Sequence, residues 1–206
     1  MCCGYYLIQF RVTPPDDPIQ PDRDSAPARP LPHTATTHNP TRKPNMSTTI
    51  PDSIHPSDLP EIGQPLADGT FFARQWLNGK EYAYVDLGKS AEFAGEWGEY
   101  GQSVDGAVSY RDGASNTIAM AEAGSPIAKQ SLEIGEGVFI PSVLELALLF
   151  SAKQAGELSD FADRWYWSSS QYSAGYAFTT TFNVGRTYDL GKSNDFRVRP
   201  VRRLLR

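Results

Sequence analysis

From residue 56 onward the chain contains neither histidine nor cysteine. That absence excludes a Ser-His-Asp or Cys-His nucleophile from this region, and any zinc site built on imidazole or thiolate. No Gly-rich phosphate loop of the G-x-x-x-x-G-K-S/T pattern occurs. Long apolar runs are also missing. The longest, Val143 to Phe150, is broken by Glu145 and falls short of the roughly 18 residues that a membrane-spanning helix needs. Positive charge is scarce: the net charge of −5 excludes a general nucleic-acid binder, which needs basic groups to displace counterions.

What is present divides into two segments. Residues 1–65 hold 13 of the 16 prolines, both cysteines (Cys2, Cys3) and all three histidines (His33, His38, His55). Runs such as Thr13-Pro14-Pro15-Asp16-Asp17-Pro18 have no apolar periodicity. Such a stretch buries too little surface to offset its ordering entropy, so residues 1–64 are read as a disordered Pro-rich tail. Met1 is followed by no basic residue until Arg11, which is not a secretory-signal pattern. Cys2-Cys3 could be a lipidation or metal pair; the preferred reading is an incidental pair, because no further cysteine or nearby histidine completes a site. Met46 is an alternative start. Residues 65–206 read as one domain.

Residues 46–195 carry 20 acidic and 9 basic side chains, whereas the last eleven residues carry five arginines (Arg197, Arg199, Arg202, Arg203, Arg206) and no acid. A basic end of this kind suggests a nucleic-acid contact. The reading preferred here is a strand whose arginines pair with the acidic body, with no nucleic-acid partner.

Asn78-Gly79 between the aromatic-rich runs Phe71–Trp76 and Lys80–Val85 predicts a hairpin. Residues 88–112 read as a long loop. Ser115 or Asn116 caps a short helix ending at Gly124, and Ser125-Pro126 starts a second. Ser142-Val143-Leu144-Glu145 is a capping box opening a buried helix to about Ala155, preceded by a short core strand, Val138–Ile140. Trp165–Trp167 starts a run of strands. Tyr176, Phe178, Thr180 and Phe182 alternate with Ala177, Thr179 and Thr181. Arg186–Leu190 returns, Gly191–Asn194 turns, and Phe196–Arg199 alternates to the end, with Pro200 placing that strand at an edge or bulge. The fold class is α+β: a hairpin, one or two helices, then an antiparallel meander.

Candidate chemistry is sparse. Ser168-Ser169-Ser170 has no histidine to act as base, and reads as small residues packing at a strand end. The many carboxylates make some pair inevitable, so a two-carboxylate glycosidase pattern carries no information. Asp112-Gly113-Ala114-Ser115-Asn116 has oxygen ligands at loop spacing but lacks the closing Glu of an EF-hand, and reads as a turn with a helix cap. Residues 165–189 are different, with eight aromatics: Trp165, Tyr166, Trp167, Tyr172, Tyr176, Phe178, Phe182 and Tyr188. Trp165 or Trp167, with Phe178 and Phe182, belongs to the core by alternation. Tyr172, Tyr176 and Tyr188 lie near turns among Ser, Thr, Asn, Arg and Asp. Tyrosine with small adaptable polar residues is the composition of a recognition surface.

Three motifs together resemble the bacterial and bacteriophage domain of unknown function 1566 family, also called the Lcl C-terminal domain. They are Asp112-Gly113-Ala114-Ser115-Asn116-Thr117, then Phe139-Ile140-Pro141-Ser142-Val143-Leu144-Glu145-Leu146, and finally Trp165-Tyr166-Trp167-Ser168-Ser169-Ser170 with the closing Arg197-Val198-Arg199-Pro200-Val201-Arg202. The likeness spans about residues 65–203. It implies a C-type-lectin-like domain, related at fold level to formylglycine-generating enzymes, in which the termini pair and a twisted sheet presents a variable surface. It also implies a non-enzymatic adhesin or tail-associated role, some members being polysaccharide binders. The domain has no cysteine for sulfatase-type oxidation, and the lectin calcium motifs Glu-Pro-Asn and Trp-Asn-Asp are absent. Fold analogy alone does not establish function.

The expectation is therefore a non-enzymatic phage or prophage binding module without cofactor or metal, recognising a cell-surface polysaccharide or protein receptor. The candidate contacts are Tyr172, Tyr176, Arg186, Tyr188, Asp189, Lys192 and Asn194. The alternative is a structural tail or capsid accessory protein that uses the same face against other virion proteins. Synthesis in the cytoplasm, virion association, no membrane partner and a homo-oligomer complete the expectation.

Overall fold

In the computed structural model, which describes residues 50–206, Asn78 and Gly79 adopt positive φ of 51° and 77°. They turn the chain as a two-residue hairpin requires. The expectations for residues 1–49, including Cys2-Cys3, His33, His38 and the Met46 start, lie outside the described residues. Ahead of the hairpin lies β1 (Pro65–Leu66); the hairpin strands are β2 (Gly69–Leu77) and β3 (Lys80–Asp86). Then follow β4 (Phe93–Glu96), helices α1 (Gly113–Glu122) and α2 (Pro126–Ile134), β5 (Val138–Phe139) and helix α3 (Val143–Gln154). The chain ends with β6 (Trp165–Gln171), β7 (Tyr176–Thr181), β8 (Thr187–Gly191), β9 (Asp195–Val198) and β10 (Val201–Leu205). The strands make two five-stranded sheets, in the orders β1-β2-β3-β10-β5 and β4-β9-β6-β7-β8. The fold is α+β; among the described residues the strands pair antiparallel except for β6 with β9, and Ser53 makes an isolated parallel bridge to Leu205.

The helices start where capping chemistry allows. Ser142 Oγ accepts from Glu145 N while Glu145 Oε2 accepts from Ser142 N at 2.7 Å, a complete capping box for α3. The same Oε2 accepts from Gly113 N at 3.1 Å, tying α3 to the start of α1. Ser125 caps α2, with Pro126 first in the helix. The α1 expectation is corrected. Its cap is Asp112, accepting from Ser115 N at 3.2 Å, rather than Ser115 or Asn116. Asn116 is buried inside the helix, where its amide exchanges two bonds with the backbone of Ser109 (3.0 and 2.6 Å). No helix among the described residues is long and apolar enough to cross a membrane.

Two apolar cores separate the layers. In one, Leu146, Leu149 and Ala152 of α3 meet Tyr84, Phe139, Tyr166 and Phe182. In the other, Trp97, Met120, Ile127 and Ile140 meet Trp167, Ala177 and Val198. Of the two β6 tryptophans, Trp167 is in the core, while Trp165 is only half-buried. The serines of β6 are fully buried. Ser168 Oγ donates to Phe178 O at 2.8 Å, and Ser170 Oγ donates to Ser109 O at 2.8 Å and accepts from Val143 N at 3.0 Å. They form a polar seam at the close approach of loop, helix and strand, and their partners are backbone groups and the Asn116 amide rather than a general base.

Three expectations change. Residues 88–112 are not one loop. They contain β4 and short 3-10 turns at Lys89–Ala91 and Asp105–Ala107, and β4 forms by pairing with β9 about a hundred residues away, which no local pattern reveals. Pro200 does not end an edge strand. The chain leaves one sheet after β9 and enters the other as β10, an inner strand between β3 and β5. A proline at that switch costs no ladder bond. The boundary at residue 64 falls too late, because Ile54 N donates to Leu205 O (2.8 Å) and Leu205 N to Asp52 O (2.9 Å), lining residues 52–54 along β10.

The arginine-rich end pairs as expected. Arg197 meets Glu92 at 2.7 Å, Arg199 meets Asp86 at 2.7 Å and Glu92 at 3.1 Å, Arg202 meets Asp68 at 3.1 Å, and Arg203 meets Asp112 at 2.9 Å. Arg206 pairs with Glu81.

Candidate ligand-binding surface

Alternation along β7 puts Tyr176, Phe178, Thr180 and Phe182 on one face of the second sheet. The face changes character along its length. Helix α3 covers the Thr180–Phe182 end, and both residues are buried; the Tyr176–Phe178 end is left open. Three other chain segments converge on that open end. Tyr172 comes from the β6–β7 turn, its N donating to Tyr176 O at 3.0 Å. Tyr100 comes from the segment after β4, where Gly101 N donates to Ala174 O at 3.2 Å. Tyr110 precedes the α1 cap, its carbonyl accepting from Leu144 N at 3.2 Å.

The rings meet edge to face. Tyr100 and Tyr176 are 5.8 Å apart, Tyr110 and Phe178 5.2 Å, and Tyr172 and Phe178 5.4 Å, a geometry the ring quadrupoles favour. Tyr100, Tyr110, Tyr172 and Tyr176 nonetheless remain 58%, 50%, 58% and 40% exposed. Asp189 stands opposite Phe178 in the ladder on β8. The Tyr176 phenol is raised above its usual range, first by its hydrogen bond with Tyr100 and then by the adjacent charges. The four tyrosines offer flat apolar rings with a hydroxyl at each rim.

The face rests on a buried anchor. Trp97 Nε1 donates to Ser168 O at 2.9 Å, and Lys192 Nζ lies 4.4 Å from the centre of the Trp97 ring. Lys192 Nζ also donates to Gln102 O at 2.7 Å and Gln171 Oε1 at 2.6 Å, while Val104 N donates to the same Gln171 oxygen at 2.8 Å. These bonds fix the Tyr100 segment to the second sheet, so the exposed rings sit on a preorganised base.

The seven residues picked out from sequence fall into four groups. Tyr172, Tyr176 and Asp189 lie on the tyrosine face. Arg186 and Tyr188 lie on the reverse face, where Tyr188 packs edge-on to Trp165 at 5.3 Å; one residue of shift along a strand reverses the face. Asn194 is exposed but closes its own turn, Nδ2 donating to Gly191 O at 2.7 Å. Lys192 is a correction: it is fully buried and belongs to the anchor, because the turn that carries it folds inward over Trp97. Burial pushes its ammonium down to about 8. Tyr100 and Tyr110 carry no signal in the sequence, since both sit in the stretch that reads as a featureless loop. Phe178, which alternation assigns to the core, is instead half-buried between Tyr110 and Tyr172.

Other ionisable groups serve the framework. Glu145 is fully buried, and burial raises its carboxyl above the ordinary range against the opposing pull of its N–H donors. No group of three His, Cys, Asp or Glu side chains among the described residues is placed to hold a metal ion. The tyrosine face can stack and hydrogen bond.

Compared with known proteins, the chain matches no family model and no curated protein.

Proposed function

We propose that the chain is a non-enzymatic binding module with a C-type-lectin-like fold of the domain of unknown function 1566 kind, encoded by a phage or prophage. It presents the tyrosine face to a cell-surface polysaccharide or protein receptor. The observation that carries the reading is the convergence of Tyr100, Tyr110, Tyr172 and Tyr176, all substantially exposed, from separate chain segments onto one rigid base. A chain that exposes four large rings together forgoes their burial, which signals a contact surface. Tyrosine supplies contact area with few rotatable bonds. The pairing of residues 52–54 with Leu205 supports the fold reading, since the termini pair in such domains. Weak single-site contacts would gain avidity from multivalent display on a virion.

The test is binding of the labelled full-length chain to bacterial cells and a glycan array, with Tyr100→Ala/Tyr172→Ala/Tyr176→Ala as comparison. Saturable binding by the parent, lost in a variant that keeps its melting temperature, is the expected result. Binding unchanged in the variant refutes the reading. Intact cell binding with lost incorporation into particles selects the accessory-protein alternative, with the same face as a protein interface.

A further inference from the structure

We propose that a second surface, centred on Trp165 on the reverse face of the same sheet, binds carboxylate-bearing sugar units of an acidic polysaccharide. This rests on the reading of the chain as a binding module, but uses none of the tyrosines of the first face.

Trp165 opens β6 with its ring braced rather than buried. Tyr188 packs edge-on at 5.3 Å and Phe196 lies tilted at 6.2 Å. Two shallow clefts, of about 380 and 390 Å³, lie on either side and share Trp165 as a wall. Arg164, Asp195, Phe196 and Arg197 help line the first, and Arg186, Tyr188 and Leu190 the second.

The charges here run against the rest of the domain. Residues 50–206 carry 20 acidic and 14 basic side chains. Among the described residues, eight of the basic groups lie within 4.0 Å of a carboxylate. Lys192 is buried, and Arg111 donates to the Trp76 carbonyl. That leaves Lys80, Lys129, Arg164 and Arg186 without an ion-pair partner, and both arginines of this set line the Trp165 clefts. Their placement is fixed by backbone bonds at the end of β7: Phe182 N donates to Arg164 O at 3.0 Å and Thr181 N to Arg186 O at 2.9 Å. The two arginine backbones thus flank β7 on opposite sides, about two strand spacings or ~10 Å apart.

An arginine fork bonds a carboxylate through two parallel N–H groups. A half-buried indole bordering both clefts, between two such forks, offers the apolar, C–H-rich side of a pyranose ring a surface to stack on. Clefts open on both sides of one wall suit a chain laid across them better than an enclosed small molecule. Arg197 is held by Glu92, leaving Arg164 and Arg186 to take the ligand's charge. The Asp195 carboxylate can accept sugar hydroxyls, and repels an acid group placed on its own side. An acidic peptide would meet the same arginines, but peptides join a sheet by adding to its edge. The edge strands here are β4 and β8, whereas each cleft spans the sheet face, one over β4, β9 and β6 and the other over β6, β7 and β8.

The full-length protein is titrated calorimetrically, and by tryptophan fluorescence, with tetragalacturonate, a hyaluronan hexasaccharide and an α2,8-linked sialic acid tetramer. Methyl-esterified tetragalacturonate and poly-L-glutamate are the controls. At least one acidic saccharide binds, with affinity falling as salt rises and at least tenfold below it for the methyl ester. Trp165→Ala and Arg164→Gln/Arg186→Gln each weaken that binding at least tenfold, Trp165→Phe keeps most of it, and Tyr172→Ala/Tyr176→Ala leaves it unchanged. No binding of any of the three saccharides at millimolar concentration overturns the proposal, as does retention in Arg164→Gln/Arg186→Gln or equal binding of poly-L-glutamate. If cell binding depends on the tyrosines while the saccharides fail, the tyrosine-face reading stands and this inference falls. If saccharides bind through Trp165 while the tyrosine variants behave as the parent, the reverse holds.

Discussion

Replacing Lys192 by methionine isolates the energetic cost of the anchor beneath the tyrosine face. In the native state the ammonium is fully buried, against Trp97, Gln102 O and Gln171 Oε1, and burial lowers its pKa from 10.5 to about 8. In the unfolded chain it returns to its ordinary value. Below pH 8 both states hold the proton and the full cost of a buried charge opposes folding. Between pH 8 and 10.5 the native lysine is neutral while the unfolded one is still protonated. The unfolded state then binds more protons, and stability rises with pH. With those two pKa values the contribution becomes more favourable by about 2 kcal/mol between pH 7 and 9.5. Lys192→Met removes that titration but keeps the stem volume, leaving a pH-independent offset from the two oxygens that lose a donor. Urea unfolding of both proteins, followed by tryptophan fluorescence at pH 7, 8, 9 and 9.5, measures the difference, and the other titrating groups cancel. The wild type gains about 2 kcal/mol relative to Lys192→Met across that range. Parallel stability curves would show that the ammonium is solvated or compensated in the fold, and would refute the assignment of Lys192 to a desolvated anchor.

Other perturbations separate core from surface. Phe182→Ala removes a ring packed 4.4 Å from Tyr166 and 4.8 Å from Phe161 and costs about 4 kcal/mol by denaturant titration. Phe178→Ala, two strand repeats away on the same face but half-buried, costs about 1 kcal/mol; equal losses would contradict the division of that face into covered and open halves. Arg199→Met strips the two-pronged partner from buried Asp86 (2.7 and 2.9 Å) and a contact from Glu92. Glu92 keeps Arg197, but leaving buried Asp86 unpaired lowers stability by ~3–5 kcal/mol, and a loss under 1 kcal/mol would mean that water reaches it. At Gly175 an added Cβ would meet Tyr100 ring carbons at 2.8 and 2.9 Å. Gly175→Ala therefore displaces Tyr100 and weakens receptor binding severalfold, with a stability change below about 1 kcal/mol because the ring is exposed. Unaltered binding would remove Tyr100 from the face.

Local chemistry was legible along the chain. The Asn78-Gly79 hairpin, the Ser142–Glu145 capping box, the Ser125-Pro126 start and the alternation in β7 each depend on groups a few residues apart. Backbone sterics and nearby hydrogen bonds decide them wherever the segment lies. The surplus of acids against a run of five arginines likewise fixed the pairing of the C-terminus in kind, since an arginine entering an acidic body finds a carboxylate. What the sequence left open depends on long-range placement. Strand β4 exists because β9 supplies its ladder. Pro200 marks a change of sheet only because β10 fits between β3 and β5. Alternation placed Tyr176, Phe178 and Phe182 on one face, but α3 decided which end would be core and which a candidate binding surface. The same holds for Lys192: its turn was readable, but a turn leaves a side chain free to point out or in, and only the packing of Trp97 beneath that turn drew the side chain inside. Periodicity and capping are properties of neighbours along the chain, whereas burial is a property of what tertiary structure brings on top.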